Sequence, residues 1–154
     1  MFGKKAEYPN LGDVQKPLEP EQLRILRDQV ESEKYSPNPQ SQFNYAWGLI
    51  KSNERRDQKQ GIDILTQLSY SQPSMQRECT YYLALGCFKL GDYASARQHT
   101  EALLKSEPSN TQVQELKETL DDKIMKEGLF GLGIAGGVLA VGIGLISSLA
   151  RRKR

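Results

Sequence analysis

The chain carries one histidine, His99, and two cysteines, Cys79 and Cys87, among its 154 residues. A lone histidine with no cysteine or carboxylate cluster at ligand spacing argues against a metal centre. The cysteines lie eight positions apart on one predicted helix, a rise of about 12 Å, which is beyond disulfide reach. They are expected as packed thiols of a reducing cytosol. No glycine-rich phosphate loop, nucleophile elbow or pair of catalytic carboxylates is present, so neither an enzyme nor a cofactor is expected. Glu115, Glu118, Asp121 and Asp122 read as the solvated face of a helix. Charge of one sign is also missing. The formal net charge is +2, with 21 Lys and Arg against 19 Asp and Glu. Four of the basic residues are the terminal Arg151, Arg152, Lys153 and Arg154, so 17 remain against 19 and residues 1–150 carry −2. A net-acidic body gives no reason to expect a nucleic-acid partner.

Residues 129–150, LFGLGIAGGVLAVGIGLISSLA, contain no charge, Asn, Gln or Pro. As a helix they span about 33 Å, against a hydrocarbon core of about 30 Å. A single transmembrane helix is expected over 128–150. The opening MFGKKAEYPN lacks the apolar stretch of a signal peptide. Insertion is therefore expected after translation, as a tail anchor, with residues 1–127 in the cytosol and 151–154 across the membrane. The positive-inside rule alone would hold the basic tail in the cytosol. It would then require a polar domain to cross the bilayer without a signal. Modest hydrophobicity followed by basic residues points to the mitochondrial outer membrane or to peroxisomes, with Arg151, Arg152, Lys153 and Arg154 as the targeting element. Gly133 and Gly137, like Ala140 and Gly144, have the small-xxx-small spacing that supports helix pairing and self-association.

No convincing period-two alternation occurs between residues 20 and 127, and helical spacing recurs six times. The stripes are Leu23, Leu26 and Val30; Phe43, Ala46, Trp47 and Ile50; Ile62, Leu65 and Leu68; and Tyr81, Leu85 and Phe88. A fifth carries Tyr93, Ala96, Leu103 and Leu104, and a sixth Val113, Leu116, Leu120 and Ile124. Breaks are expected at Pro37-Asn38-Pro39, at Ser71–Ser74 and at Gly91-Asp92. Ser109-x-x-Gln112 reads as a capping box before the sixth helix. Residues 1–19 look like an extended arm.

Helical hairpins repeat. Tyr45–Lys51 aligns with Leu83–Lys89 at a shift of 38, and Gly61, Leu65 and Leu68 align with Ala96, Thr100 and Leu103 at a shift of 35. Both approximate the tetratricopeptide period of about 34. Cys87, Thr100 and Leu103 depart from the consensus. In such arrays the first helix of each hairpin lines a concave face, here the helices near 41–53 and 74–90. Phe43, Trp47, Tyr82, Leu85 and Phe88 on that face suit an extended or helical peptide. Each of them singly also fits a plain core position.

Three blocks, Gln22–Arg27, Phe43–Ser52 (FNYAWGLIKS) and Arg77–Gly91 (RECTYYLALGCFKLG), with Asp122–Glu127 before the glycine-rich anchor, closely resemble the mitochondrial fission 1 protein family, particularly its fungal members. The resemblance runs from about residue 8 to the end. It implies an all-α six-helix bundle with two tetratricopeptide-like repeats over 20–127, an arm at 1–19 and the anchor and basic tail already described. It also implies an adaptor on the mitochondrial outer membrane and on peroxisomes, whose groove recruits a soluble linker protein and, through it, a dynamin-related GTPase. Carried over by position, Glu78, Leu85 and Phe88 are groove contacts, beside Phe43, Asn44, Trp47 and Tyr82. Leu85 and Phe88 stand where fungal relatives carry Ile and Tyr. The family's arm folds over the groove, which makes Tyr8, Pro9, Leu11 and Val14 its apolar residues here. A charge at Leu85 is expected to leave the fold intact and abolish linker recruitment. The alternative is a tail-anchored docking site for chaperones, which needs a clamp of Lys, Asn and Arg for a terminal carboxylate; Asn44 and Lys51 are what the inner helices offer.

Overall fold

The computed structural model describes residues 8–127. The expected membrane helix at 128–150, with Gly133 and Gly137, and the tail Arg151, Arg152, Lys153 and Arg154 lie outside the described residues. Among the described residues all regular structure is helical: α1 (Leu11–Val14), α2 (Pro20–Ser32), α3 (Pro39–Lys51), α4 (Arg55–Ser71), α5 (Gln76–Leu90), α6 (Tyr93–Ser106) and α7 (Thr111–Lys126), with a 3-10 turn at Pro73–Met75. None of these helices is long and apolar enough to cross a membrane. The six long helices, α2 to α7, coincide with the six expected stripes. The additional α1 is one turn inside the arm, where an extended segment was expected.

Helix boundaries follow local chemistry. Pro20 and Pro39 open α2 and α3, where a missing N–H costs nothing and a fixed φ helps. The Asn38 side chain accepts from the Gln40 amide at 2.9 Å. At the turn into α6, Gly91 has φ +97°, a left-handed conformation that glycine adopts without a Cβ penalty. Asp92 then caps α6 by accepting from Ser95 N at 3.1 Å. The start of α7 differs from expectation: the cap is Asn110, not Ser109. Its Oδ1 accepts from the amides of Gln112 at 3.0 Å and Val113 at 3.2 Å. Asn equals Ser as a cap, and the Glu107 carboxylate steadies it by accepting from Nδ2 at 2.9 Å.

The chain divides into two compact units that meet at Leu90 and Gly91. In the first, α3 packs against α2, α4 and α5. Close approach is made possible by glycines. A Cβ at Gly61 of α4 would come within 2.6 Å of the Ala46 carbonyl oxygen, and one at Gly86 of α5 within 3.0 Å of Ile50 Cδ1. Ile50, Leu65, Cys79 and Leu85 have no solvent exposure. The C-terminus of α3 has no glycine cap. Its exposed carbonyls instead receive side-chain donors from neighbouring helices: Gln58 Nε2 donates to Ser52 O at 2.8 Å and Lys89 Nζ donates to Lys51 O.

In the second unit, α6 buries Ala96, Thr100 and Leu103, and α7 buries Val113, Leu116, Leu120 and Ile124. Thr100, where the repeat consensus has an aromatic, satisfies its hydroxyl by donating to Arg97 O at 2.8 Å. The Tyr93 hydroxyl donates to Glu127 Oε1 at 3.1 Å, joining the start of α6 to the end of α7. The two helices therefore run antiparallel.

A candidate partner-binding face under an N-terminal arm

The aromatic side chains expected on the inner helices do meet. The Tyr82 ring on α5 stands edge-on to Phe43 (centroids 4.7 Å apart) and to Trp47 (4.8 Å), both on α3. Edge-to-face geometry at this distance is the favoured aromatic arrangement. Lys51 Nζ lies 5.6 Å from the Trp47 ring centroid, a cation–π contact. Trp47 and Tyr82 are half-buried, whereas Phe43 is buried. Burial, with the negative charge of Glu78 and the nearby Tyr8 phenol, pushes the Tyr82 hydroxyl up to about 12. The Tyr82 hydroxyl is therefore neutral, able both to donate and to accept.

The other expected groove residues divide. Asn44 is exposed on α3, with Oδ1 accepting from Gln40 Nε2 at 3.0 Å. Glu78 is half-buried in the first turn of α5. Leu85 has 0% exposure and Phe88 6%. With the arm in place neither reaches solvent. A charge at Leu85 would thus sit in the packed interior, contrary to the expectation that it spares the fold.

The segment that carries Tyr8, Pro9, Leu11 and Val14 packs against α5. The Tyr8 ring stacks on Tyr81 with centroids 4.4 Å apart and meets Tyr82 edge-on at 6.3 Å. Tyr81 donates its hydroxyl hydrogen to the Pro9 carbonyl at 3.1 Å. Leu11 and Val14 are buried, and α1, which carries them, packs against α5. Asn10 and Asp13 form a reciprocal capping box, with both side-chain-to-amide distances 2.9 Å. It orders a turn too short to be stable alone. After that turn, Lys89 Nζ donates to the Val14 carbonyl at 2.9 Å. Burial, and secondarily the like charge of Lys51, push the Lys89 ammonium below its ordinary value; its two carbonyl acceptors offset that cost.

Tyr81 and Lys89 were not expected in this role. Tyr81 reads as core because α5 is apolar nearly all round. Lys89 reads only as the repeat counterpart of Lys51.

Two family models match the chain: the Fis1 N-terminal tetratricopeptide repeat at residues 40–71 and the Fis1 C-terminal tetratricopeptide repeat at 77–129. The mitochondrial fission 1 protein of Debaryomyces hansenii is 58% identical over the full length of both chains. A solved structure of yeast Fis1 in complex with an Mdv1 fragment containing N-terminal extension and coiled coil domains is 47% identical. It covers 82% of this chain and 100% of that one, with a TM-score of 0.75. Yeast Fis1 complexed with a fragment of yeast Caf4 is 48% identical, covers 61% and 97% of the two chains, and has a TM-score of 0.59. The repeat pair seen first as a shift of 35 to 38 residues thus has a known counterpart in both halves, and with a full-length relative at this identity the chain belongs to the mitochondrial fission 1 protein family.

Proposed function

We propose that the protein is a tail-anchored adaptor of the mitochondrial outer membrane, with a share on peroxisomes. Its cytosolic helices recruit a soluble linker protein and, through it, a dynamin-related GTPase. Its family is one of tetratricopeptide adaptors, not enzymes. The observation that carries the reading is the aromatic face of Phe43, Trp47 and Tyr82, bordered by Asn44 and Glu78. In yeast Fis1, 47% identical, the corresponding chain is solved with an Mdv1 fragment bound. Trp47 and Tyr82, half-buried beside the buried Phe43, supply the large apolar area that interface anchors use. In this reading the apolar segment at 129–150 spans the membrane and Arg151–Arg154 directs it.

Asn44 and Trp47 are the positions to change, because neither is fully buried. The double variant Asn44→Arg with Trp47→Ala in the full chain is expected to retain its circular dichroism and lose linker co-precipitation at least tenfold. Undiminished co-precipitation by the folded variant would reject the face. Chaperone docking is less well supported. Lys89 donates to two main-chain carbonyls and Lys51 lies over the Trp47 ring, so neither stands as an isolated clamp cation.

A further inference from the structure

We propose that Lys89 is the positioning residue that holds the N-terminal arm closed, by binding the C-terminal carbonyls of two helical segments at once. Its ammonium donates to the Val14 carbonyl at the end of α1, at 2.9 Å, and to the Lys51 carbonyl at the end of α3. Residues 75 and 38 positions away in sequence are thereby fastened to one side chain.

Three features favour this over simple capping of α3. The α3 terminus already receives Gln58 Nε2 at Ser52 O, so the helix end does not depend on Lys89 alone. Tyr81 also holds the arm, donating to Pro9 O at 3.1 Å. That tether lies before α1 and Lys89 lies after it, so the pair grips the turn at both ends. Finally, both contacts are to main-chain oxygens. The seat holds the arm by its backbone, while Leu11 and Val14 supply burial. A charge-assisted bond contributes about twice a neutral one, so of the two tethers Lys89 is the stronger. The inference rests on the arm contacts themselves and not on the adaptor reading.

Amide hydrogen exchange on the full chain in detergent tests it. The amides of Asp13, Val14, Gln15 and Lys16 all donate within the arm, to Asn10, Asn10, Gly12 and Asp13 carbonyls, and so report its closure. Lys89→Met is expected to speed their exchange at least tenfold while amides of α4 around Leu65 and Leu68 change less than twofold. Lys89→Gln, which keeps a donor too short to span both carbonyls, gives the same arm-selective loss. Lys89→Arg, which restores a charged donor, recovers most of the protection. Unchanged arm exchange in Lys89→Met and Lys89→Gln overturns the proposal. Equal acceleration in the arm and in α4 also overturns it, because Lys89 would then be a general support of the unit.

Discussion

The carbonyl oxygen of Ala46 lies 2.6 Å from where a Cβ on Gly61 would stand. Helices α3 and α4 therefore touch backbone to backbone, and the acceptor in the way is main chain and unable to swing aside. Gly61→Ala is expected to cost about 2–3 kcal/mol, at the upper end for overpacking a core. Gly48 is the control. Its added Cβ would come nearest the methyl ends of Leu18 and Leu23, at 3.0 Å, and of Leu26, at 3.3 Å. Those side chains belong to half-buried positions that can shift, so Gly48→Ala is expected to cost under about 1 kcal/mol. Urea unfolding of the two variants decides: equal losses would mean that backbone contact is not what makes Gly61 special.

His99 on α6 makes the stability of the fold depend on pH in the mildly acidic range. Burial lowers its proton affinity, only partly opposed by the Asp92 carboxylate. The unfolded chain, with a value near 6.5, then takes up the proton before the folded one does. Stability is complete above about pH 6.5 and falls as pH drops toward the lower folded value, because the unfolded state binds more protons there. The thermal midpoint is expected to decrease between pH 7.5 and 5.5, and His99→Gln to flatten that part of the profile. A slope unaltered by the substitution would assign the pH dependence to other groups.

How legible these features were in the sequence depended on how many residues shared a signal. In α7, Val113, Leu116, Leu120 and Ile124 repeat over four turns, and all four are buried. In α2, Leu23, Leu26 and Val30 show the same spacing, yet each is only half-buried, where α2 packs against α3. Periodicity therefore locates a helix without measuring how deeply it packs. The four residues of α1 are too few for any period, although Asn10 and Asp13 at the capping spacing were there to be read. Contacts from Tyr81 and Lys89 to carbonyl oxygens have no sequence signature at all, because every residue carries that acceptor.

Cys79 is expected to be inert in the native protein. Burial, with the adjacent Glu78 charge, pushes its thiol up to about 11, and it has no solvent exposure. Since the thiolate is the reacting species, alkylation at pH 8 should run at least about 100-fold slower than for the unfolded chain, whose thiols titrate near 8.5. Iodoacetamide labelling followed by peptide mapping measures this. Rapid labelling of Cys79 under native conditions would show that α5 opens locally.

The start of α7 offers a decision between two neighbouring residues. Ser109 has the spacing of a capping box with Gln112, but Asn110 makes the bonds, holding the amides of Gln112 and Val113. Truncating a helix cap costs about 1 kcal/mol, since it leaves amide donors that no intrahelical carbonyl can take. Asn110 also donates to Glu107 Oε1, so its removal loosens the turn before the helix as well. Asn110→Ala is thus expected to lower stability by about 1–1.5 kcal/mol. Ser109→Ala, at an exposed position, should stay within about 0.5 kcal/mol of the parent. Reversal of that order in denaturant unfolding would place the helix start one residue earlier and return the cap to Ser109.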